Sequence, residues 1–155
     1  MENLNKQTFY GILYYLPLFL FGGGIYNIIE CLYRGYTHIS MFFAGGLCLF
    51  FIALLDSENP RLPLFLKLLL CPLIITATEL AFGLVLNVGL GLTVWDYSNM
   101  RFNFLGQICP RASFYWLLLS VPALAVTRFW KKISGNIVNS LRSFRERLSQ
   151  NTPLK

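Results

Sequence analysis

Three acidic residues lie in or beside long apolar stretches of this 155-residue chain. Glu79 falls inside an apolar run of membrane length, Glu30 closes another such run, and Asp96 belongs to a polar patch downstream of Glu79. A charged side chain in hydrocarbon is costly, so each is by default a functional-site hypothesis. If Glu30 and Glu79 share one low-dielectric pocket, repulsion between them keeps a proton bound and favours a proton or cation site.

Glu79 also begins a polar stripe, because Gly83 and Asn87 follow it at four-residue steps on one helix face. One interpretation is a carboxylate that faces a polar cavity, with Gly83 leaving room for a ligand or a neighbouring backbone. The alternative is a helix-to-helix hydrogen bond from a protonated or arginine-paired Glu79. Glu30 has a similar alternative, which is an intrahelical ion pair with Arg34 four residues later.

The patch at residues 95–107 combines aromatic, acidic, basic and amide side chains. Its Asp, Ser and Asn residues can bond their own backbone in turns, and its aromatic residues suit a membrane interface. Alternatively, Asp96 acts with Arg101 or Arg111 to bind a polar or anionic ligand, because a guanidinium matches carboxylate and phosphate. No catalytic or metal-binding residue is predicted. The predicted substrate-binding residues are Glu30, Glu79, Asn87, Trp95, Asp96, Tyr97, Arg101, Asn103 and Gln107, and structural roles are predicted for Gly83 and Gly106.

The composition indicates an integral membrane protein that must position these residues. The chain is 55% hydrophobic and 13% charged, whereas soluble domains carry about a quarter charged residues. Within the third apolar run, Lys67 is expected to extend back to the interface and Pro72 to kink the helix. The predicted fold is all-α with four transmembrane helices, each near the bilayer-spanning length, from about Thr8 to Cys31, Ile39 to Leu55, Leu64 to Leu86 and Ser113 to Phe129.

The segment before the fourth helix and the segment after it differ from the spans. Residues 87–112 are predicted to form an interfacial or re-entrant loop, because glycines interrupt their apolar start. From Ile133 to Leu148, apolar residues recur at three- and four-residue steps, which indicates a C-terminal amphipathic helix on the membrane surface or on a partner. The predicted division is a transmembrane domain at residues 1–130 and a basic amphipathic cytoplasmic tail at residues 131–155.

The net charge of +6 reflects topology rather than nucleic-acid binding. If both termini are cytoplasmic, ten lysines and arginines lie inside and three outside, which favours an N-in, C-in multi-pass protein of the cell (inner or plasma) membrane. Glu30 and Glu79 then lie toward the outer leaflet, on the side of the Asp96 loop. Membrane lipids are the expected partners, and nucleic acid is not expected.

The cysteine pattern argues against a structural zinc site, because the four cysteines show no CxxC spacing and the chain has one histidine. No cofactor is predicted, and without a GxxxxGK[ST] motif the chain cannot itself cradle a nucleotide in a P-loop. Cys31 and Cys109 fall on the same predicted side and could form a disulfide. Cys48 and Cys71 are interpreted as small packing residues.

Three segments carry a family resemblance: GIYNIIECLYRGYTHISMFFAGGLC, TELAFGLVLN and VWDYSNMRFNFLGQIC, the last followed by Trp116. Over roughly residues 20–118 the chain resembles the CmpB-like family of type IV ABC-transporter permeases, which are small bacterial membrane proteins. The resemblance implies a multi-pass protein of the bacterial inner membrane. It also implies motif roles for Glu30, Glu79, Gly83, Trp95, Asp96, Tyr97, Ser98, Asn103, Gly106 and Gln107.

The favoured hypothesis is an outward-facing acidic pocket that binds or transports a small solute or ion, as a transporter permease component. A single bundle of this size has few residues with which to enclose a transport path. This favours a homo-oligomer or a larger membrane complex. One alternative is an intramembrane enzyme acting on a lipid headgroup, with Glu79 or Asp96 as general base; the lack of a Ser-His or metal cluster favours a non-enzymatic role. Another is a non-catalytic membrane assembly factor.

Overall fold

The chain forms four long helices in a computed structural model that describes the backbone of residues 2–150 and the side chains of residues 11–141, 143, 144 and 147. Each helix, counted with the short π-helix that extends the third, contains a segment long and apolar enough to cross a membrane. The prediction of an all-α fold with four membrane-length helices is therefore confirmed. The helices are α1 (Glu2–Arg34), α2 (Ile39–Glu58), α3 (Leu64–Gly83) and α4 (Pro110–Gln150).

Short connections join the first three helices and fix their antiparallel order. α1 ends where Gly35 takes a φ of +78° and donates its N–H to the Cys31 carbonyl at 2.8 Å, a glycine-dependent helix stop. α2 is capped by His38, whose Nδ1 accepts the backbone N–H of Ser40 at 3.3 Å. This connection and the loop before α4 mark one end of the bundle, called here the loop end. The connection at residues 59–63 marks the other, called the terminal end.

Glycines let α1 and α2 pack closely. A Cβ placed on Gly22 would lie 2.7 Å from the Gly45 carbonyl oxygen, and one on Gly46 would lie 2.8 Å from the Phe19 carbonyl oxygen. Small residues at such crossings allow two backbones to approach in lipid, where van der Waals packing replaces the hydrophobic effect. α1 packs mainly against α2 and contacts α4 at fewer points.

The third helix changes pitch at the loop end. α3 is followed directly by a π-helix at Leu84–Gly89, and π-helical turns are rare and frequently occur at functional sites. Pro72 lies inside α3 without ending it. The wider turn places Asn87 beside the loop at residues 90–109, which folds back over the helix ends.

The fourth helix is longer than predicted, since it begins at Pro110 and runs without a break to Gln150. No boundary in secondary structure occurs at residues 130–131, where the predicted tail begins. Ile137, Leu141 and Phe144 are exposed, so the rest of the described chain does not cover this apolar face. The side chain of Leu148 and residues 151–155 lie outside the described part of the chain, and contact of the tail with a membrane or partner stays a prediction.

A buried charge cluster ties three helices together at the terminal end. Lys67 of α3 is 2% exposed, and its Nζ lies 2.7 Å from Oδ1 of Asp56 of α2. Arg128 of α4 reaches the same Oδ1 at 3.1 Å. The expectation that Lys67 extends to the interface was wrong, because a buried carboxylate is available one helix away and compensates its charge.

Asp56→Asn is expected to lower the free energy of unfolding by about 3 kcal/mol, because removing one partner of a buried ion pair leaves the other charge uncompensated. Adding Lys67→Met should restore part of that loss. Unfolding in detergent micelles, followed by circular dichroism, measures the effect. Glu58→Gln, an exposed acid two residues away, is the matched control. Equal stability of the Asp56 and Glu58 variants would show that the cluster contributes nothing.

Candidate functional site

A cavity of about 530 Å³ opens at the loop end between the four helices and the loop, with α2 contributing Met41. Glu30 and Glu79 both line it, so the two acidic residues singled out from the sequence face the same hollow. Asp96, Trp95 and Tyr97 of the loop also contribute to its wall. The cavity therefore joins acidic groups from two helices with the aromatic start of the loop.

Glu79 is buried and accepts hydrogen bonds from two neutral donors. The Tyr97 hydroxyl donates to Oε1 at 2.8 Å, and the Trp116 indole N–H donates to Oε2 at 2.9 Å. One donor comes from the loop and the other from α4, so the carboxylate connects α3 to both. The side-chain ion pairs formed by the described residues involve Glu30 and Asp56 instead.

Glu30 is buried in a different setting. It forms the predicted intrahelical ion pair with Arg34, and its other oxygen accepts the Thr37 hydroxyl at 2.5 Å. Arg34 also donates to the Val94 carbonyl at 2.7 Å, which fastens the loop to α1. The charge of Glu30 is therefore compensated locally, although the residue remains part of the cavity wall.

Asp96 and Arg111 lie exposed at the mouth of the cavity. The Asp96 carboxylate accepts the side-chain hydroxyl and the backbone N–H of Ser98, and these bonds hold the pKa of Asp96 below its usual value. This is the turn chemistry expected for the segment. Burial and the nearby Glu79 raise the pKa of the Tyr97 hydroxyl above its usual value. Arg101 is exposed and is not among the residues that line the cavity.

Asn87 and Gln107 support the loop rather than line the cavity. Asn87 accepts the Val94 N–H at 2.6 Å and donates to the Trp95 carbonyl at 2.9 Å and to Gln107 Oε1 at 2.7 Å. The Trp95 indole N–H in turn donates to the Gln107 carbonyl at 3.0 Å. Because their polar groups are used within the protein, both residues position Trp95 and Tyr97 at the cavity.

Three further residues of the predicted site, Gly83, Gly106 and Asn103, make contacts that maintain the shape of the loop. A Cβ on Gly83 would lie 2.5 Å from Gln107 Oε1, so the space left by Gly83 is occupied by a side chain of the loop. Gly106 has a φ of +69°, and its N–H donates to Asn103 Oδ1 at 2.9 Å. The Asn103 amide donates to the Met100 carbonyl at 2.8 Å. These contacts shape the turn beneath Asp96.

The four cysteines of the described chain are free thiols. Among them, Cys31 is exposed whereas Cys109 is buried. Within the part of the chain that the structure describes, no three His, Cys, Asp or Glu side chains cluster closely enough to hold a metal ion. The arrangement is suited to binding through hydrogen bonds and charge.

The comparison with protein families agrees with this architecture. A family model described as "Putative ABC-transporter type IV" matches residues 5–148, which is most of the chain. The chain belongs to this family. The comparisons with curated proteins and with solved structures found no match. Family membership supports a multi-pass membrane protein of transporter type and agrees with the resemblance noted from the sequence.

The family motif residues account for only part of the cavity. Trp116 is not among the predicted site residues, yet its indole N–H bonds Glu79 from 37 residues away. Tyr26, Tyr33 and Tyr115 also line the cavity from α1 and α4. No spacing within one helix predicts these contacts, because they depend on how α1 and α4 face α3. The sequence signals are the aromatic residues near the loop end of the spans and the family segments, which contain Tyr26 and Tyr33 and are followed by Trp116.

Gly83→Ala is expected to displace Gln107 and loosen the loop, because the added Cβ collides with the amide and with the Gln107 Cβ at 3.0 Å. Overpacking of this kind typically costs about 1–3 kcal/mol. Hydrogen exchange should quicken at the amides of residues 94–107, measured by mass spectrometry. Gly24→Ala is the control, because a Cβ there meets no atom within 4 Å. Identical exchange in the two variants would contradict the role given to Gly83.

Proposed function

We propose that this chain is the membrane component of a transporter and binds a small hydrogen-bond-donating cation or solute at Glu79. The observation that carries the proposal is the pairing of this buried carboxylate with two neutral donors, Tyr97 and Trp116. Glu30 and Asp56 are also buried, but each has a basic partner. Glu79 is thus the buried acid best suited to a charged ligand.

The hydrogen-bonding capacity of Glu79 supports this role. An ionised carboxylate offers about four acceptor positions, and Tyr97 and Trp116 occupy one on each oxygen. The remaining positions are available to a donor in the cavity. Inside a low-dielectric protein the attraction of a cation for this carboxylate is stronger than in water. The two neutral donors fix the direction of the oxygens without cancelling their charge, which is the preorganisation a binding site requires.

The proposed side of entry is the cell exterior. The count of ten basic residues against three supports an outward-facing loop end under the positive-inside rule. At the terminal end, the cluster of Asp56, Lys67 and Arg128 joins α2, α3 and α4. We therefore propose that ligand enters from outside. Release inward requires a second copy or a partner, since four helices provide little wall.

Glu79→Gln is expected to abolish cation binding, because it removes the charge while keeping the side-chain volume. The probes are ethanolamine and ammonium, each titrated into protein in nanodiscs while tryptophan emission is recorded, since Trp116 bonds Glu79 directly. At least one probe should give a saturable change in the unaltered protein and none in the Glu79 variant. Glu58→Gln is the control and should retain the response. The same response in the unaltered and Glu79→Gln proteins would contradict the proposal.

The orientation is tested with an impermeant maleimide on intact cells. Asn99→Cys in the exposed loop should be labelled, because the loop end is proposed to face outward. Glu58→Cys at the terminal end should be labelled only after the cells are opened. Both variants are made with Cys31→Ser, which removes the exposed native thiol. The opposite labelling pattern would reverse the proposed direction of entry.

A further inference from the structure

A second hollow lies beside the cavity and differs from it in character. It is a cleft of about 290 Å³ between α1, α2 and α4, with Ile75 of α3 at its base. Its walls are largely carbon and include Ile25, Leu49, Ala123 and Val126. A buried water needs two to four polar partners, which these side chains do not provide. The cleft is therefore suited to a hydrocarbon group.

The cleft and the cavity are adjacent. Tyr26, Ile29, Trp116 and Leu119 line both of them. The indole N–H of Trp116 bonds Glu79. The side chain of Trp116 therefore contributes both to the charged cavity and to the apolar cleft. A molecule with a polar and an apolar end matches the different linings of these two neighbouring hollows.

Helix packing explains why the cleft opens laterally. Gly22 and Gly45 bring α1 close to α2, since a Cβ on Gly22 would lie 2.7 Å from the Gly45 carbonyl oxygen. α1 contacts α4 at this level through the rings of Tyr26 and Trp116, whose centroids are 6.0 Å apart, and the cleft lies beside this contact. Phe21 and Ile25 at the rim remain 50% and 40% exposed, on a surface that faces lipid in a membrane. The opening gives a hydrocarbon chain sideways access from the bilayer.

We propose that the ligand is an amphiphile, with an ammonium head group at Glu79 and a hydrocarbon chain in the cleft between α1 and α4. The inference rests on the proposed function, because it names the class of molecule bound at that site. Glu79 lacks a basic partner among the described residues, and the three acids that line the cavity, Glu30, Glu79 and Asp96, outnumber its two arginines, so a cationic head group suits the cavity. A chain gains little free energy on moving from lipid to the cleft, because both are hydrocarbon. The cleft thus sets the route and position of the ligand, and Glu79 selects its head group.

The test uses a long-chain primary alkylamine that carries a photoactivatable diazirine in mid-chain, in phosphatidylcholine nanodiscs containing the full chain. After irradiation, mass spectrometry maps the labelled residues. Labelling should be saturable, should concentrate on residues 21–29 and 119–126, and should fall when unlabelled alkylamine is added. Glu79→Gln should remove the saturable part, because the head group then loses its charged partner.

Ile25→Trp tests the cleft itself, because the larger side chain fills the space without touching Glu79. It should remove saturable labelling by the alkylamine while leaving ethanolamine binding unchanged. Ile28→Trp is the matched control: Ile28 is 56% exposed on α1 and lines neither hollow, so this variant should label like the unaltered protein.

The outcomes separate the two proposals. If ethanolamine binding requires Glu79 but labelling is spread over the lipid-facing surface and ignores Ile25→Trp, the amphiphile inference fails and the proposed function stands. Labelling of the cleft that persists in Glu79→Gln also overturns the inference, because the chain would then bind without its head group at Glu79. If neither ethanolamine nor the alkylamine depends on Glu79, both proposals fail.

Discussion

The hydrogen bonds that hold Glu79 between Tyr97 and Trp116 are the interaction on which the rest of the site depends. A carboxylate within a membrane-length helix is tolerated only where protein or water surrounds it. Here the loop supplies one donor and α4 supplies the other. This single group therefore brings three parts of the chain together and leaves a cavity beside it. The π-helix after α3 contributes by placing Asn87, which fixes the backbone of Val94 and Trp95.

The buried acidic residues have different partners at the two ends of the bundle. At the terminal end, Asp56 has Lys67 and Arg128 as partners, so its charge is used to join helices. At the loop end, Glu30 is paired with Arg34, whereas Glu79 has neutral donors only among the described residues. A compensated charge mainly holds structure together. An oriented carboxylate without a cationic partner is suited to bind one, which is why we propose the loop end as the binding site.

Much of the fold could be predicted from the sequence, because hydropathy and length determine which segments can cross a bilayer. Glu30 and Glu79 were placed at one end by counting helix residues, and the structure brings both to one cavity. The partners of Glu79 and Lys67 could not be predicted, since they depend on which helix faces meet across the bundle. The extent of α4 was also underestimated, because the change from an apolar to an amphipathic pattern near Lys131 does not require a break in the helix.

The most direct measurement of the central claim is a crystal structure grown from a lipid mesophase in the presence of ethanolamine. The account predicts density for the ammonium group within hydrogen-bonding distance of the Glu79 carboxylate, with Tyr97 and Trp116 still bonded to it. A Glu79 side chain that points to lipid, or that pairs with an arginine while the cavity is closed, would contradict the account. In that case the chain would be a membrane scaffold without a site at the loop end.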